Sequence, residues 1–520
     1  MLGYIIRRLG ILVVILLGSS FILFNLAAIS SDPLEALRFS GEQNAEYLMQ
    51  ALSQELRLDL IPPLRYFIWL QGVLEVFSGN LDLGMTRDGQ PVISELAIAV
   101  PVTVRLVLAA TIFSIIVGIA VGIVSALRQY SRFDYSMTFA AFLMFSLPIF
   151  WVAVLLKEYI AIDFNNFLSD PNISLVWIVL FSLFIGFFWA GVISGTLKRV
   201  WLIFAAVSTF AGILIYVLNA TDWFKTPRLG FIGILILGTV IGFGFTQLSM
   251  GIENKSALYG SLTVVGLSSG AYFPVNSYFD GVESVSRYAL LGLGFLLAAA
   301  LVGYLFAKID RGPVIRTTTL VGLGMFLLIT YDRYLQTWYT YIRVGAIDYR
   351  PIPTVGQTNS LLQFEENVTY WIRSLDILVH LILPTLALTL ISFAGYIRFA
   401  RGTMLEVLNQ DYIRTARAKG MSERTVIMRH AFRNTMIPIT TIMVVDFAGV
   451  IGGAIITERV FGWTGMGTLF NKAITTYDLN LLMGVFLVTG FLVVFANLVA
   501  DLLYSLLDPR IRVGAGKRPL

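Results

Sequence analysis

Long stretches of this chain carry no Asp, Glu, Lys or Arg, and they recur with short polar breaks between them. A bilayer core of about 30 Å takes about 20 apolar helical residues to cross. Backbone groups in lipid must satisfy one another, which makes helices the default. Uncharged runs of that length are Leu9–Ser31, Leu106–Leu127, Tyr135–Leu156, Pro171–Leu197, Val200–Thr221, Leu229–Ile252, Tyr288–Ala307 and Leu479–Ala500. Three more are imperfect: Ile377–Ile397 contains His380, Asn434–Thr457 contains Asp446, and Thr317–Tyr331 stops short at Asp332. Ser256–Phe279 is uncharged but rich in Gly, Ser and Tyr. The pattern predicts an all-α polytopic membrane protein with about twelve transmembrane helices.

The first run follows Arg7-Arg8 and is longer than the roughly 7–15 apolar residues of a signal peptide. Ala27-Ala28-Ile29-Ser30 is a poor cleavage site, so the run reads as a retained signal anchor. Orientation follows from where the basic residues lie. With the N-terminus inside, the cytoplasmic segments are 1–8, 128–134, 198–199, 253–255, 308–316, 398–433 and 508–520. They hold 22 of the 37 Lys and Arg residues. The opposite orientation would place the basic 398–433 loop outside. The expected topology is therefore multi-pass in the cell membrane with both termini cytoplasmic. Segments 32–100 and 332–376, long and rich in aromatics and proline, then become extracytoplasmic caps.

Composition sharpens this picture mostly by exclusion. The chain has 520 residues, 57% of them hydrophobic and 13% charged, too few charges to solvate the surface of a soluble domain. Cysteine is absent, which removes disulfides, thiolate metal sites and cysteine nucleophiles. Two histidines, His380 and His430, leave little for a metal site. The net charge of +5 has no soluble face on which to gather, so nucleic acid is not an expected partner. No Walker A string, HExxH or GxSxG occurs, so neither an ATP-cradling P-loop nor a hydrolase centre is expected. No catalytic residue and no cofactor is predicted.

The most informative stretch is RFARGTMLEVLNQDYIRTARAKGMSERTVIMRHAFRN, beginning at Arg398, with Ile437-Pro438 just beyond it. Two helical pieces meet at Gly420, and Ser422 is placed to cap the second. Arg414, Arg417, Lys419, Arg424, Arg429 and Arg433 are spread over both pieces. Read from the residues alone, this is a juxtamembrane basic loop that holds orientation and touches anionic membrane lipids.

The wording DYIRTARAKG, then HAFRN, then IP, closely resembles the cytoplasmic "EAA" loop of ABC-importer permeases, in the B-type branch of dipeptide, oligopeptide and nickel permeases. In that family the loop docks into a groove on the ATPase subunit. The resemblance implies that Ala416, Lys419 and Gly420 form the heart of the coupling element, supported by Tyr412, Arg414, Arg417, His430, Arg433 and Asn434. Arg414 and Thr415 depart from the Glu-Ala of the wider superfamily, and Arg433 from its proline. Further matches are MLGYIIRRLGILVVILLGSSFILFNL at the start, GNLDLGMTRDGQPV, SLPIFWVAVLL, HLILPTLAL, TERVFGWTGMG and DLLYSLLDPRIR. They cover about residues 1–165 and 370–512.

The family member expected from this resemblance has six spans. Residues 1–165 and 370–520 would supply that core, and 166–369 would be an inserted membrane block. An insertion between an outward end and an outward start needs an even number of spans. The apolar pattern offers six: 172–193, 200–220, 229–251, 257–279, 288–307 and 315–334. The bland reading of this block is a helical packing module facing lipid.

Two acidic residues remain. Asp446 lies mid-span, where a charge costs about 2.5–3.5 kcal/mol. It either lines the translocation path and meets a substrate amine, or is buried and satisfied among neighbouring helices. Glu458 begins the glycine-rich turn that the resemblance assigns to the outer mouth. The implied function is a permease subunit that, with a second permease subunit, forms a path for di- or oligopeptides. Those peptides would be delivered by an extracytoplasmic solute-binding protein and driven by separate ABC ATPase subunits; nickel and glycan importers share much of the wording. The competing reading is a self-contained, ion-coupled secondary transporter, which predicts internal repeats that the chain does not show.

Overall fold

A computed structural model describes residues 2–30, 32–39, 45–193, 196–308 and 310–507. The expected cytoplasmic ending at 508–520 lies outside these residues, as do Ser31 and the 194–195 portion of the Pro171–Leu197 run. The described residues form helices and one isolated antiparallel bridge, Met85 to Pro91, with no strand among them. Among the described residues nine helices are long and apolar enough to cross a membrane, or ten if one bent helix pair counts as a single span. Packing divides the chain into two compact units, one of Met1–Glu158 with Leu381–Leu520 and one of Tyr159–His380.

The first unit begins with α1 (Leu2–Ser30), the short α2 (Glu35–Arg38), α3 (Ala45–Glu55), α4 (Pro62–Leu74) and the long α5 (Val92–Leu127). The expected Tyr135–Leu156 span is not one rod. It is α6 (Arg132–Ser146) and α7 (Ile149–Leu156), and the chain bends by 104° between Arg132–Ser146 and Ile149–Ser169. The reason is local: Pro148 excludes its predecessor from the helical region, and Leu147 sits at φ −84°, ψ 130°. A hydrophobic cluster of Phe24, Tyr66, Leu83, Leu96, Met466 and Leu481 ties α1, α4 and α5 to the C-terminal helices of the same unit.

In the second unit come α8 (Asp163–Ser169), α9 (Leu175–Ile193), α10 (Leu197–Ala220), α11 (Gly230–Ser249), α12 (Lys255–Gly270), α13 (Tyr272–Asp280), α14 (Val285–Phe306) and α15 (Arg311–Tyr341). The Ser256–Phe279 run is thus two helices rather than one. Pro274, in the first turn of α13, cannot continue the ladder from α12. The polar character of α12 also has a cause: it packs against α11, α14 and α15 and buries Ser261, Ser268 and Ser269 among them. Asp332 does not end its helix, as the short Thr317–Tyr331 run had implied. Its carboxylate is buried and accepts from the Leu229 amide (2.6 Å), the Tyr272 hydroxyl (2.7 Å) and Gln336 Nε2 (2.7 Å), so α15 runs on to Tyr341. The core here is Ile234, Val265, Phe279, Met325, Ile329 and Trp371.

The chain passes from the first unit to the second after Glu158 and returns inside α16 (Tyr370–Leu408). Beyond it the first unit resumes with α17 (Asp411–Ala418), the single-turn α18 (Glu423–Thr425), a π-helical turn at Val426–Ala431, α19 (Phe432–Phe461), α20 (Met466–Thr475) and α21 (Leu479–Leu507). The Asn434–Thr457 run lies within the 30-residue α19, where the side chains of 444, 445 and 447–453 are outside the described set.

Candidate functional site

The 411–434 segment folds as a hairpin on the ends of α5 and α16. In α17 only Ile413 and Ala416 are buried, one turn apart, so the helix has a narrow apolar underside and a polar outer face. That underside joins Val426, Ala431, Met404, Val407 and Ala126 in one cluster. Ala416 therefore faces its own subunit, where a small side chain lets α17 lie close to the π-helical turn.

Gly420 makes the reversal. Its φ is +75°, a left-handed conformation, while a Cβ there would meet nothing within 4 Å. Backbone conformation, not space, calls for glycine. Ser422 accepts from the Thr425 amide at 3.4 Å, as its capping position predicts. Arg417 forks onto Glu423 across the turn, at 2.8 and 3.3 Å, which closes the hairpin on itself. Asn434 donates to the Tyr412 hydroxyl at 2.9 Å and braces α17 against the start of α19. His430 is half-buried, and its Nε2 is enclosed without a partner. Arg414, Lys419 and Arg433 remain exposed, with Arg414 3.5 Å from Asp411 on the same helix.

Sequence reasoning missed the anchor beneath this hairpin. Asp134, 2% exposed, receives Arg401 Nε at 2.6 Å and a second guanidinium nitrogen at 2.9 Å, along with the Ser125 hydroxyl and the Tyr130 amide. The available signal was Ser131-x-x-Asp134, a helix-start pattern: Ser131 caps α6 through the Asp134 amide at 3.2 Å. Nothing local, however, linked Asp134 to an arginine 267 positions away.

Asp446 on α19 is half-buried and interacts with the hydroxyl of Tyr396 on α16. That hydroxyl is enclosed and makes no hydrogen bond of ordinary geometry. Glu458 does not stand at the start of a loop. It is in the last turn of α19, fully buried, and accepts from the Thr103 hydroxyl (2.6 Å) and the Thr468 amide (2.9 Å). Thr103 in turn accepts from the Met466 amide at 2.7 Å. One carboxylate thus ties α5, α19 and the N-terminal turn of α20, where a negative charge is favoured. Gly465 completes the knot, because a Cβ there would overlap both the Glu458 carboxylate and the Thr103 hydroxyl.

The 82–91 turn closes over the same end of this unit. The Arg87 amide donates to Asp478 at 2.7 Å, its guanidinium to the Thr476 carbonyl at 2.7 Å, and Asn480 donates to the Met85 carbonyl at 2.9 Å. Lys472 pairs with Asp88 at 2.8 Å, and that hydrogen-bonded carboxylate holds the lysine above its usual range. Among the described residues no group of three or more His, Cys, Asp or Glu side chains could hold a metal ion.

Residues 352–513 match the family of binding-protein-dependent transport system inner membrane components. Among curated relatives, the oligopeptide transport system permease protein OppB of Mycobacterium tuberculosis is 31% identical over 296 residues, 56% of this chain and 79% of that protein. The dipeptide transport system permease protein DppB of Escherichia coli is 31% identical over 265 residues, 48% of this chain and 76% of that protein. The DppB protein of Alkalihalophilus pseudofirmus aligns at 24% identity over 513 residues, 98% of this chain and all of that protein. With nine long apolar helices among the described residues, and two relatives at 31% identity covered over more than two thirds of their length, the chain belongs to the family of binding-protein-dependent transport system inner membrane components, in its oligopeptide and dipeptide permease branch.

Proposed function

We propose that this chain is one of two permease subunits in a peptide importer, carrying di- or oligopeptides handed over by an extracytoplasmic binding protein. Separate ABC ATPases would supply the energy through the 411–434 hairpin. The observation that carries the reading is the construction of that hairpin. Its apolar side is fixed to α5 and α16 by Ile413, Ala416 and Val426, while Tyr412, Arg414 and Lys419 face outward. A rigid element with an exposed basic face is suited to seat in an acidic groove and to transmit a push into the helices beneath it. On this reading the hairpin and both termini are cytoplasmic. The 82–91 turn, α20 and the Glu458 knot belong to the outer mouth, and Asp446 is a candidate path-lining residue. Residues 166–369 would be a membrane block inserted into a six-span permease core.

The test is co-purification from native membranes together with ATP-dependent peptide uptake. Gly420→Val puts a β-branched residue at φ +75°, where L-residues are strained by about 1–2 kcal/mol. The expected outcome is loss of ATPase recovery and uptake while the permease itself still inserts. Recovery of this chain alone, moving solute on an ion gradient with no ATPase, would instead establish the secondary-transporter reading.

A further inference from the structure

The second unit holds a pocket that the coupling hairpin and the outer turn do not use. It has a volume of about 340 Å³, in the lower part of the range for small-molecule sites, about 300–1,000 Å³. The segment that follows α15 forms its walls, and His380 in α16 lies at its edge. The walls include Ile347, Pro351, Pro353 and Val355, the prolines giving them a fixed backbone.

His380 is 5% exposed, and its hydrogen bonding is one-sided. Nδ1 lies 2.7 Å from the Asp376 carbonyl oxygen, an acceptor only, so the proton of the neutral ring sits on Nδ1 and the lone pair on Nε2. No hydrogen bond within the described residues engages Nε2. The Asp376 carboxylate stands 3.5 Å from Nδ1, and its own oxygens are occupied by the Tyr341 hydroxyl (2.9 Å) and the Asn359 amide (2.8 Å). The site thus offers an unengaged acceptor on a largely buried ring braced from behind. Arg350, an exposed cation, lines the same pocket. A metal is a poor match, because a lone imidazole beside a fully engaged carboxylate is not a ligand set.

We propose that this pocket is a second binding site for a short unblocked peptide, with the amino end at His380 Nε2, the carboxylate at Arg350 and side chains against the proline-lined wall. The proposal rests on the peptide-import reading for its choice of ligand class and for placing residues 332–376 on the side from which solute arrives. It does not require coupling to an ATPase.

The test is equilibrium binding of labelled trialanine to the full chain in nanodiscs, without binding protein or ATPases. N-acetylated and C-amidated trialanine serve as controls. His380→Asn keeps a donor where Nδ1 stands and removes Nε2; His380→Gln does the reverse. The expected result is a loss of about tenfold or more for trialanine in His380→Asn, with His380→Gln closer to the native chain. Arg350→Gln should weaken trialanine by a similar factor and leave the amidated peptide unchanged. Absence of binding to the native chain, or equal binding by the native chain and by both His380→Asn and Arg350→Gln, would overturn the proposal. Loss of ATP-driven uptake with this binding intact would count against the import reading alone.

Discussion

Asp134 and Arg401 show how much a single pair holds. The carboxylate is 2% exposed and takes two guanidinium bonds, a hydroxyl and a backbone amide. Removing the arginine would leave that charge buried with only neutral partners, a situation that costs about 3–5 kcal/mol. Arg401→Ala is therefore expected to lower the detergent melting temperature sharply. The double variant Asp134→Ala with Arg401→Ala should lose less than the sum of the singles. A double-mutant cycle on thermal unfolding measures this, and additive losses would mean the pair is not coupled. Arg401 stands with Arg398 ahead of the hairpin in the basic segment, but nothing in the sequence named its partner, because their contact depends on α5, α6 and α16 meeting.

At the scale of the element, α17 separates shape from contact. Ile413 and Ala416 point inward, and a helical piece ending at Gly420 was legible in DYIRTARAKG. Which face served the hairpin itself was not, since packing beneath α17 comes from Met404, Val407, Val426 and Ala431. Two substitutions should then behave differently. Ala416→Leu overfills the cluster, at a cost of about 1–3 kcal/mol, and hydrogen exchange over 411–434 should quicken. Reversing charge on the outer face with Arg414→Glu and Lys419→Glu should leave hydrogen exchange of the hairpin and the melting temperature unchanged while ATPase co-purification falls. Faster exchange in the charge-reversed chain would place those residues in the hairpin's own packing instead.

The whole molecule carries separate hydrophobic cores in its two units, one around Tyr66, Leu96 and Met466 and one around Val265, Met325 and Trp371. Separate cores predict separable unfolding. Met325 is fully buried, and Met325→Ala should cost about 2–5 kcal/mol. Calorimetry is expected to show one transition shifted and another unmoved. A single transition moving as a whole would show that the two cores melt together.

Apolar run length alone specified a helical membrane protein, since a helix satisfies its own backbone polar groups across lipid, and the wording from DYIRTARAKG through HAFRN, with matches elsewhere in the chain, carried the family resemblance. Charge placement pointed to a topology, and a glycine and a serine marked the hairpin turn and its cap. Several features stayed out of reach. Asp332 could lie inside a long helix only because α11 and Tyr272 arrive to satisfy it. Glu458 became a buried tie rather than a loop residue because Thr103, far away in the chain, donates to it. The one-sided imidazole of His380 took its place at a pocket because distant residues engage Asp376 and build the wall opposite. In each case the physical reason is the same. A buried polar group is settled by its partners, and those partners are neighbours in space rather than in sequence.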